Sequence, residues 1–208
     1  SRGFAKDSLF VANNTVEVID TLDKQQKDTL LFIGSLYKQK GITDLLDAYY
    51  KAYTAAPNIP RLNIIGKGEE FDNIQQWIKQ NNMESKVELL GPIYEDSKKE
   101  MYFKKALATI SPNQVGLSVL ESMGYGTPFV TSQDAITGGE RFNIRNGETG
   151  VLYDTKDDLA KILIDITNNP QKYIDMGENA ARYYRENRTA KKMVQGFVDA
   201  VNYVMGNA

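Results

Sequence analysis

Apolar and polar positions along this chain follow two periods that take turns. From Thr29 onward, short apolar runs of strand length alternate with longer stretches in which apolar residues recur every three or four positions. "TLLFIG" is a run of the first kind and ends at Gly34. "ITDLLDAYYKAYTAA" is of the second kind, with Ile42, Leu45, Leu46, Tyr49 and Ala52 on one stripe. "RLNIIG" repeats the strand-then-glycine pattern, and "EEFDNIQQWIKQNN" is amphipathic through Phe71, Ile74, Trp77 and Ile78. "KVELLG" predicts a third strand, followed by a helix near Ser97 to Lys105 and the strand "ALATISP". A helix carrying Glu121 comes next, then "PFVTS", a loop opened by Gly138-Gly139, and the short strand "TGVLYD". "TKDDLAKILIDITNN" begins with a capping box, Thr155 to Asp158. Pro170 suits the first position of another helix. A last helix starts near Thr189 and carries Met193, Phe197 and Val201.

Strands alternating with helices predict βαβ units, hence an α/β fold with a mostly parallel sheet covered on both faces. In such sheets ligands bind beyond the carboxyl ends of the strands. Gly34, Gly66, Gly68, Gly91 and Gly116 all fall there. With no repeat or internal linker, residues 1–208 read as one domain, with an irregular lead-in over 1–28 and a terminal helix over 189–208.

Composition narrows the chemistry. The chain has neither cysteine nor histidine, so it lacks thiols, the usual general base and the commonest transition-metal ligand. A net charge of -2 shows no basic field for nucleic acid or an anionic membrane. No apolar run approaches the roughly 18 residues of a membrane span. A cytoplasmic setting is the expectation.

Four stretches could carry chemistry. In "IGSLYKQKGITDLL" a strand end, a loop with Ser35, Lys38 and Lys40, and a helix start coincide. A helix start favours anions, so the loop is either a phosphate site or a solvated basic turn. "IIGKGEEF" lacks the third glycine of the dinucleotide fingerprint; Gly68 either admits a ligand to the backbone or serves a tight turn. "LLGPIYED" offers Ile93 and Tyr94 to flank a flat ring, or is a rigid turn. In "SPNQVGLSVLESMGYGTPFV" Glu121 shares a helix face with Leu117, Leu120 and Gly124. A carboxylate there costs several kcal/mol unless hydrogen-bonded. Its partner is either a lysine or arginine of the chain, water, or the hydroxyls of a ligand.

Taken together, "FIGSLYKQKGITDLLDA", "IIGKGEE", "VELLGPI", "NQVGLSVLESMGYGTPFV" and "NGETGVLYD" resemble the C-terminal, donor-binding half of a retaining glycosyltransferase of the GT-B fold, family 4. The match runs from about Leu30 to Asp154 and continues loosely to the end. The resemblance implies a Rossmann-like three-layer α/β/α domain that binds a nucleoside diphosphate sugar. It implies that Lys40 contacts the diphosphate, that backbone near Gly34, Gly116 and Leu117 lines the diphosphate and sugar, and that the main chain near Ile93 meets the base. Glu121 matches the second glutamate of the family's pair, which holds the ribose hydroxyls. Two positions depart from the pattern: Ser35 stands where the family usually has arginine, and Asn113 where it has the first glutamate. Both remove charge near the donor sugar and its phosphates.

The expected activity is transfer of a hexosyl unit to a glycan or lipid acceptor, with the leaving diphosphate stabilised by helix N-termini and Lys40, without metal or cofactor. The expected partners are the sugar nucleotide, the acceptor, and an N-terminal half outside this chain that completes the enzyme and could bring it to the inner membrane face. The fragment alone is expected to be inactive. The alternatives are a degenerate nucleotide- or sugar-binding module, which Ser35 and Asn113 favour, and a sugar-nucleotide epimerase of the same fold.

Overall fold

The computed structural model describes residues 8–18 and 26–206. Six strands form one sheet: β1 (Thr29–Ile33), β2 (Arg61–Ile65), β3 (Val87–Gly91), β4 (Ala106–Ile110), β5 (Phe129–Ser132) and β6 (Gly150–Tyr153). Their order is β3-β2-β1-β4-β5-β6, and every pairing is parallel. This is the doubly wound order, with its switch point between β1 and β4. The six apolar runs are the six strands, because a strand buried on both faces has no polar side to show.

Helices α1 (Ile42–Ala55), α2 (Phe71–Gln80), α3 (Asp96–Lys105), α4 (Ser118–Gly124), α5 (Lys156–Asn168), α6 (Pro170–Asn187) and α7 (Ala190–Gly206) complete the described architecture. Alternation along β1 divides the core. Leu30 and Phe32 join the cluster of α1, α2 and α5, while Leu31 faces Phe103 of α3. On that second face α4 and α6 pack together around Val119, Leu120, Met123 and Ala180. The Asp158 carboxylate accepts from the Thr155 N–H at 3.1 Å, one half of the capping box, and also from the Thr155 hydroxyl at 2.7 Å.

Buried polar groups tie α4 to the sheet. Ser122 Oγ lies 2.7 Å from the Thr109 hydroxyl and 2.8 Å from the Thr127 carbonyl. The Thr127 hydroxyl donates to the Phe103 carbonyl at 2.6 Å. Leu117 does not share the helix face of Glu121, Leu120 and Gly124 as expected. It precedes the helix and is 46% exposed.

The lead-in is irregular but anchored. Residues 1–7 and 19–25, part of it, lie outside the described residues. The Thr15 hydroxyl donates to the Arg188 carbonyl at 2.6 Å, and the Tyr184 hydroxyl donates to the Val16 carbonyl. The last helix buries none of its described residues. Val194, Phe197, Val198, Val201 and Val204 are all exposed, and the Phe10 ring of the lead-in lies tilted against Tyr203, 5.3 Å between centroids.

Candidate functional site

A cleft of about 280 Å³ opens at the carboxyl ends of β1, β2 and β3. Ile33, Gly34 and Ser35 line it from β1, Ile65, Gly66 and Lys67 from β2, and Pro92, Ile93 and Tyr94 from β3. Lys99 of α3 and Glu121 of α4 close the far wall. Six of the residues singled out from sequence therefore converge here: Gly34, Ser35, Gly66, Ile93, Tyr94 and Glu121. Lys67 and Tyr94 add a cation and a ring, with the ammonium 5.6 Å from the ring centroid. A cleft that combines apolar walls, an exposed ring and a carboxylate fits a flat heterocycle joined to a hydroxylated group.

Two loops are laced together beneath the cleft. Gly34 N–H donates to Ile65 O at 3.0 Å and Leu36 N–H to Lys67 O at 2.8 Å. A Cβ on Gly66 would stand 1.9 Å from the Gly34 carbonyl oxygen, and one on Gly68 2.4 Å from that of Leu36. Both glycines are needed for this close approach of one loop to the other. That is the purpose Gly68 serves; it does not line the cleft, nor does Gly91, whose carbonyl accepts from Gly66 N–H at 2.9 Å.

Glu121 has a partner within the protein. Lys99 Nζ lies 2.9 Å from Glu121 Oε1 and 2.8 Å from Asp96 Oδ1. Burial pulls the Lys99 pKa down, but the hydrogen bonds to Asp96 and Glu121 outweigh it, and the net shift is upward. The pair is partly screened, with the two side chains 20% and 18% exposed. The carboxylate is thus ion-paired and at the cleft wall at once.

Lys40 ends a short 3-10 turn, Lys38–Lys40, that leads into α1. Its Nζ donates to the Gln114 carbonyl at 3.4 Å, and its Cε sits over Gly34. Burial lowers its pKa, against the opposing effect of the Glu140 charge. Among the described residues the Gln114 contact is the ammonium's one hydrogen bond, long and to a neutral oxygen, so this half-buried group is well suited to receive an anion. Gly116 and Leu117 lie at the start of α4 with open space around Gly116. Lys38 is exposed and is not among the residues lining the cleft.

Asn113 goes elsewhere. Its Nδ2 donates to Asp44 Oδ2 at 2.8 Å, and Asp44 also accepts from Lys156 at 2.6 Å. Burial of Asp44 raises its pKa, but these hydrogen bonds win and hold it below the usual carboxylate range. Asn113, Asp44, Tyr153 and Lys156 line a separate cavity of about 190 Å³. Lys67 and Asp44 lie within quoted segments but are not singled out there, and Lys99 lies outside them. Among the described residues no group of three or more aspartates or glutamates could hold a metal.

Known proteins share this architecture and these segments. Residues 17–183 match the family described as glycosyl transferases group 1. An uncharacterized glycosyltransferase of Haemophilus influenzae is 26% identical over 90% of this chain and 53% of its own length. N-acetyl-alpha-D-glucosaminyl L-malate synthase of Bacillus anthracis is 27% identical over 83% of this chain and 45% of its own. The chain therefore spans about half the length of the curated relatives it matches. Among solved structures, a mutant of S. aureus TarM in complex with fondaparinux, alpha-GlcNAc-glycerol and UDP superposes with a TM-score of 0.79 at 21% identity, covering 93% of this chain and 39% of that one. Anabaena HepE in complex with UDP superposes with a TM-score of 0.71 at 20% identity, covering 86% and 49%. The parallel six-stranded sheet is that of GT-B glycosyltransferases, and the chain belongs to the glycosyl transferases group 1 family.

Proposed function

We propose that this chain is the donor-binding half of a retaining, family 4 glycosyltransferase, which moves a hexosyl unit from a nucleoside diphosphate sugar to a glycan or lipid acceptor on the cytoplasmic side. The observation that carries this reading is the convergence of Gly34, Ser35, Ile93 and Glu121 on one cleft beside Lys40. The base lies between Ile93 and Tyr94, and Glu121 accepts from the ribose hydroxyls. Lys40 meets the diphosphate and stabilises it as it departs, a charge-assisted contact that strengthens as charge develops on the leaving group. No metal takes part in this scheme. The named UDP complexes of TarM and HepE favour a uridine donor.

An N-terminal half of a longer protein supplies the acceptor site in this reading, consistent with the span of about half that the relatives show. The exposed apolar face of α7, with Val194, Phe197 and Val201, is where that half docks. A second reading, a binding module without transferase activity, is favoured by one observation: Asn113 is turned to Asp44 and lines a different cavity.

The test is a titration of the chain with UDP, GDP and ADP, followed by amide chemical shifts, with and without EDTA. Saturable shifts around Gly34, Ile93 and Glu121 with one diphosphate, unaltered by EDTA, support the reading. No saturable binding of any of the three overturns it. Binding lost in EDTA overturns the metal-free site.

A further inference from the structure

The β5–β6 connection carries a buried carboxylate that the donor cleft does not use. Glu140 is 8% exposed and begins a 3-10 turn, Glu140–Asn143, directly after Gly138-Gly139. Its oxygens accept from Asn14 Nδ2 at 3.3 Å and from the Thr137 hydroxyl at 3.2 Å. Both donors are neutral, and both contacts are long for an ionised acceptor. A carboxylate this buried ordinarily gathers a cation or several short donors. Among the described residues Glu140 has fewer donors than a carboxylate this buried takes.

The surroundings say which donors fit. Glu140 lines a cavity of about 230 Å³ with Asn13, Asn14, Asn143, Arg188 and Leu120. The Arg188 guanidinium is already engaged by Asn143 and Tyr183. The remaining polar walls are a carboxylate and carboxamides, which together accept from and donate to uncharged hydroxyl groups. The glycine pair adds no side chain to the wall, so the cavity stays open.

Its position ties it to Lys40. Val115 N–H donates to Ile136 O at 2.9 Å, and Ile136 N–H to Asn113 O at 2.8 Å, so the Glu140 loop is stitched to the β4–α4 loop. Lys40 reaches the same loop at the Gln114 carbonyl, 3.4 Å away. The Glu140 charge is close enough to act on the Lys40 ammonium. The cavity and Lys40 thus meet opposite sides of the same β4–α4 loop, through Ile136 on one side and Gln114 on the other.

We propose that Glu140, with the cavity it lines, is a subsite for the hydroxyl groups of the donor sugar and helps decide which sugar is accepted. This rests on the donor-site reading above. Glu140 receives hydroxyl hydrogen bonds when the sugar is present and is held by Thr137 and Asn14 when it is absent.

The test compares the chain with Glu140→Gln by calorimetry, using UDP, GDP and ADP and then UDP-glucose, GDP-mannose and ADP-glucose. The expected result is a ratio of sugar-nucleotide to diphosphate affinity lowered by about tenfold, as for loss of a charged hydrogen bond, whatever small change the lost charge makes to both through Lys40. Equal losses for both ligands make Glu140 a support of the loop and overturn the inference, as does no loss for either. If none of the three diphosphates binds, the donor-site reading falls and this inference with it. Thermal melting checks that Glu140→Gln folds. Should it not, Glu140→Asp, which keeps the charge but shortens its reach, decides by the same ratio of affinities.

Discussion

Lys99 Nζ stands 2.9 Å from Glu121 Oε1, across 22 residues of sequence and from one helix to another. This ion pair forms one wall of the cleft proposed for the nucleotide, so Glu121 has a structural partner and a ligand-facing position together. Glu121→Gln is expected to lower stability by up to about 1 kcal/mol, the range of a screened pair. It is also expected to weaken UDP binding about tenfold, as for one charged hydrogen bond. Denaturant midpoints and calorimetry read the two effects separately. Unchanged affinity with lost stability leaves Glu121 as an ion-pair partner only.

The same pair sets an alkaline dependence. The folded-state pKa of Lys99 lies above its ordinary value of 10.5, because the bonds to Asp96 and Glu121 exceed the cost of burial. Its stabilisation is therefore complete below pH 10.5 and lost as pH rises through the higher folded value. Relative to Lys99→Met, the unaltered chain should hold a constant advantage up to about pH 10 and lose it above. A constant difference across pH 11, followed by urea unfolding, would show that the pair carries no linkage.

Lys27 has the opposite sign and a lower window. Its ammonium donates to Ala106 O at 3.0 Å, Thr127 Oγ1 at 3.1 Å and Phe103 O at 3.4 Å. Burial, with the Lys104 charge adding to it, lowers its pKa to about 8. Between about 8 and 10.5 the unfolded chain binds the extra proton, so this group makes stability rise with pH. Lys27→Met should lose that rise. Stability curves that stay parallel from pH 7 to 10 would contradict it.

Lys40→Met should weaken UDP by about tenfold to a hundredfold while leaving uridine nearly unchanged, since only the diphosphate offers a charged acceptor. Stability should hold or rise slightly, because burial already disfavours the Lys40 charge. Equal losses for UDP and uridine would place Lys40 away from the phosphates.

Asn113 is held by Asp44 at 2.8 Å. Asn113→Ala should therefore cost stability, about 1.5–3 kcal/mol for a hydrogen bond to a charged group, and leave diphosphate affinity alone. Asn113→Glu sets a second carboxylate against Asp44 and should lower the melting temperature, with Asp44→Asn restoring it. A melting temperature unmoved by Asn113→Glu would mean that the new side chain turns away from Asp44.

Period and punctuation along the chain determined the six strands, their helices and the glycine-marked strand ends. Those signals are local: a buried parallel strand must be apolar throughout, and a helix must show its stripe within two turns. The parallel doubly wound sheet follows from that order, and with it the edge where Gly34, Gly66 and Ile93 meet. Only the tertiary structure decided the partners of the charged side chains. Glu121 met Lys99 of another helix, Asn113 turned to Asp44 across 69 residues, and Glu140, unmarked by any motif, was placed beside Asn14 across 126 residues. Nor could sequence show that Gly68 serves the approach of one loop to Leu36. Such choices depend on which groups packing brings within about 3 Å, and a hydrogen bond is made or lost over a fraction of that distance. No period in the chain encodes it.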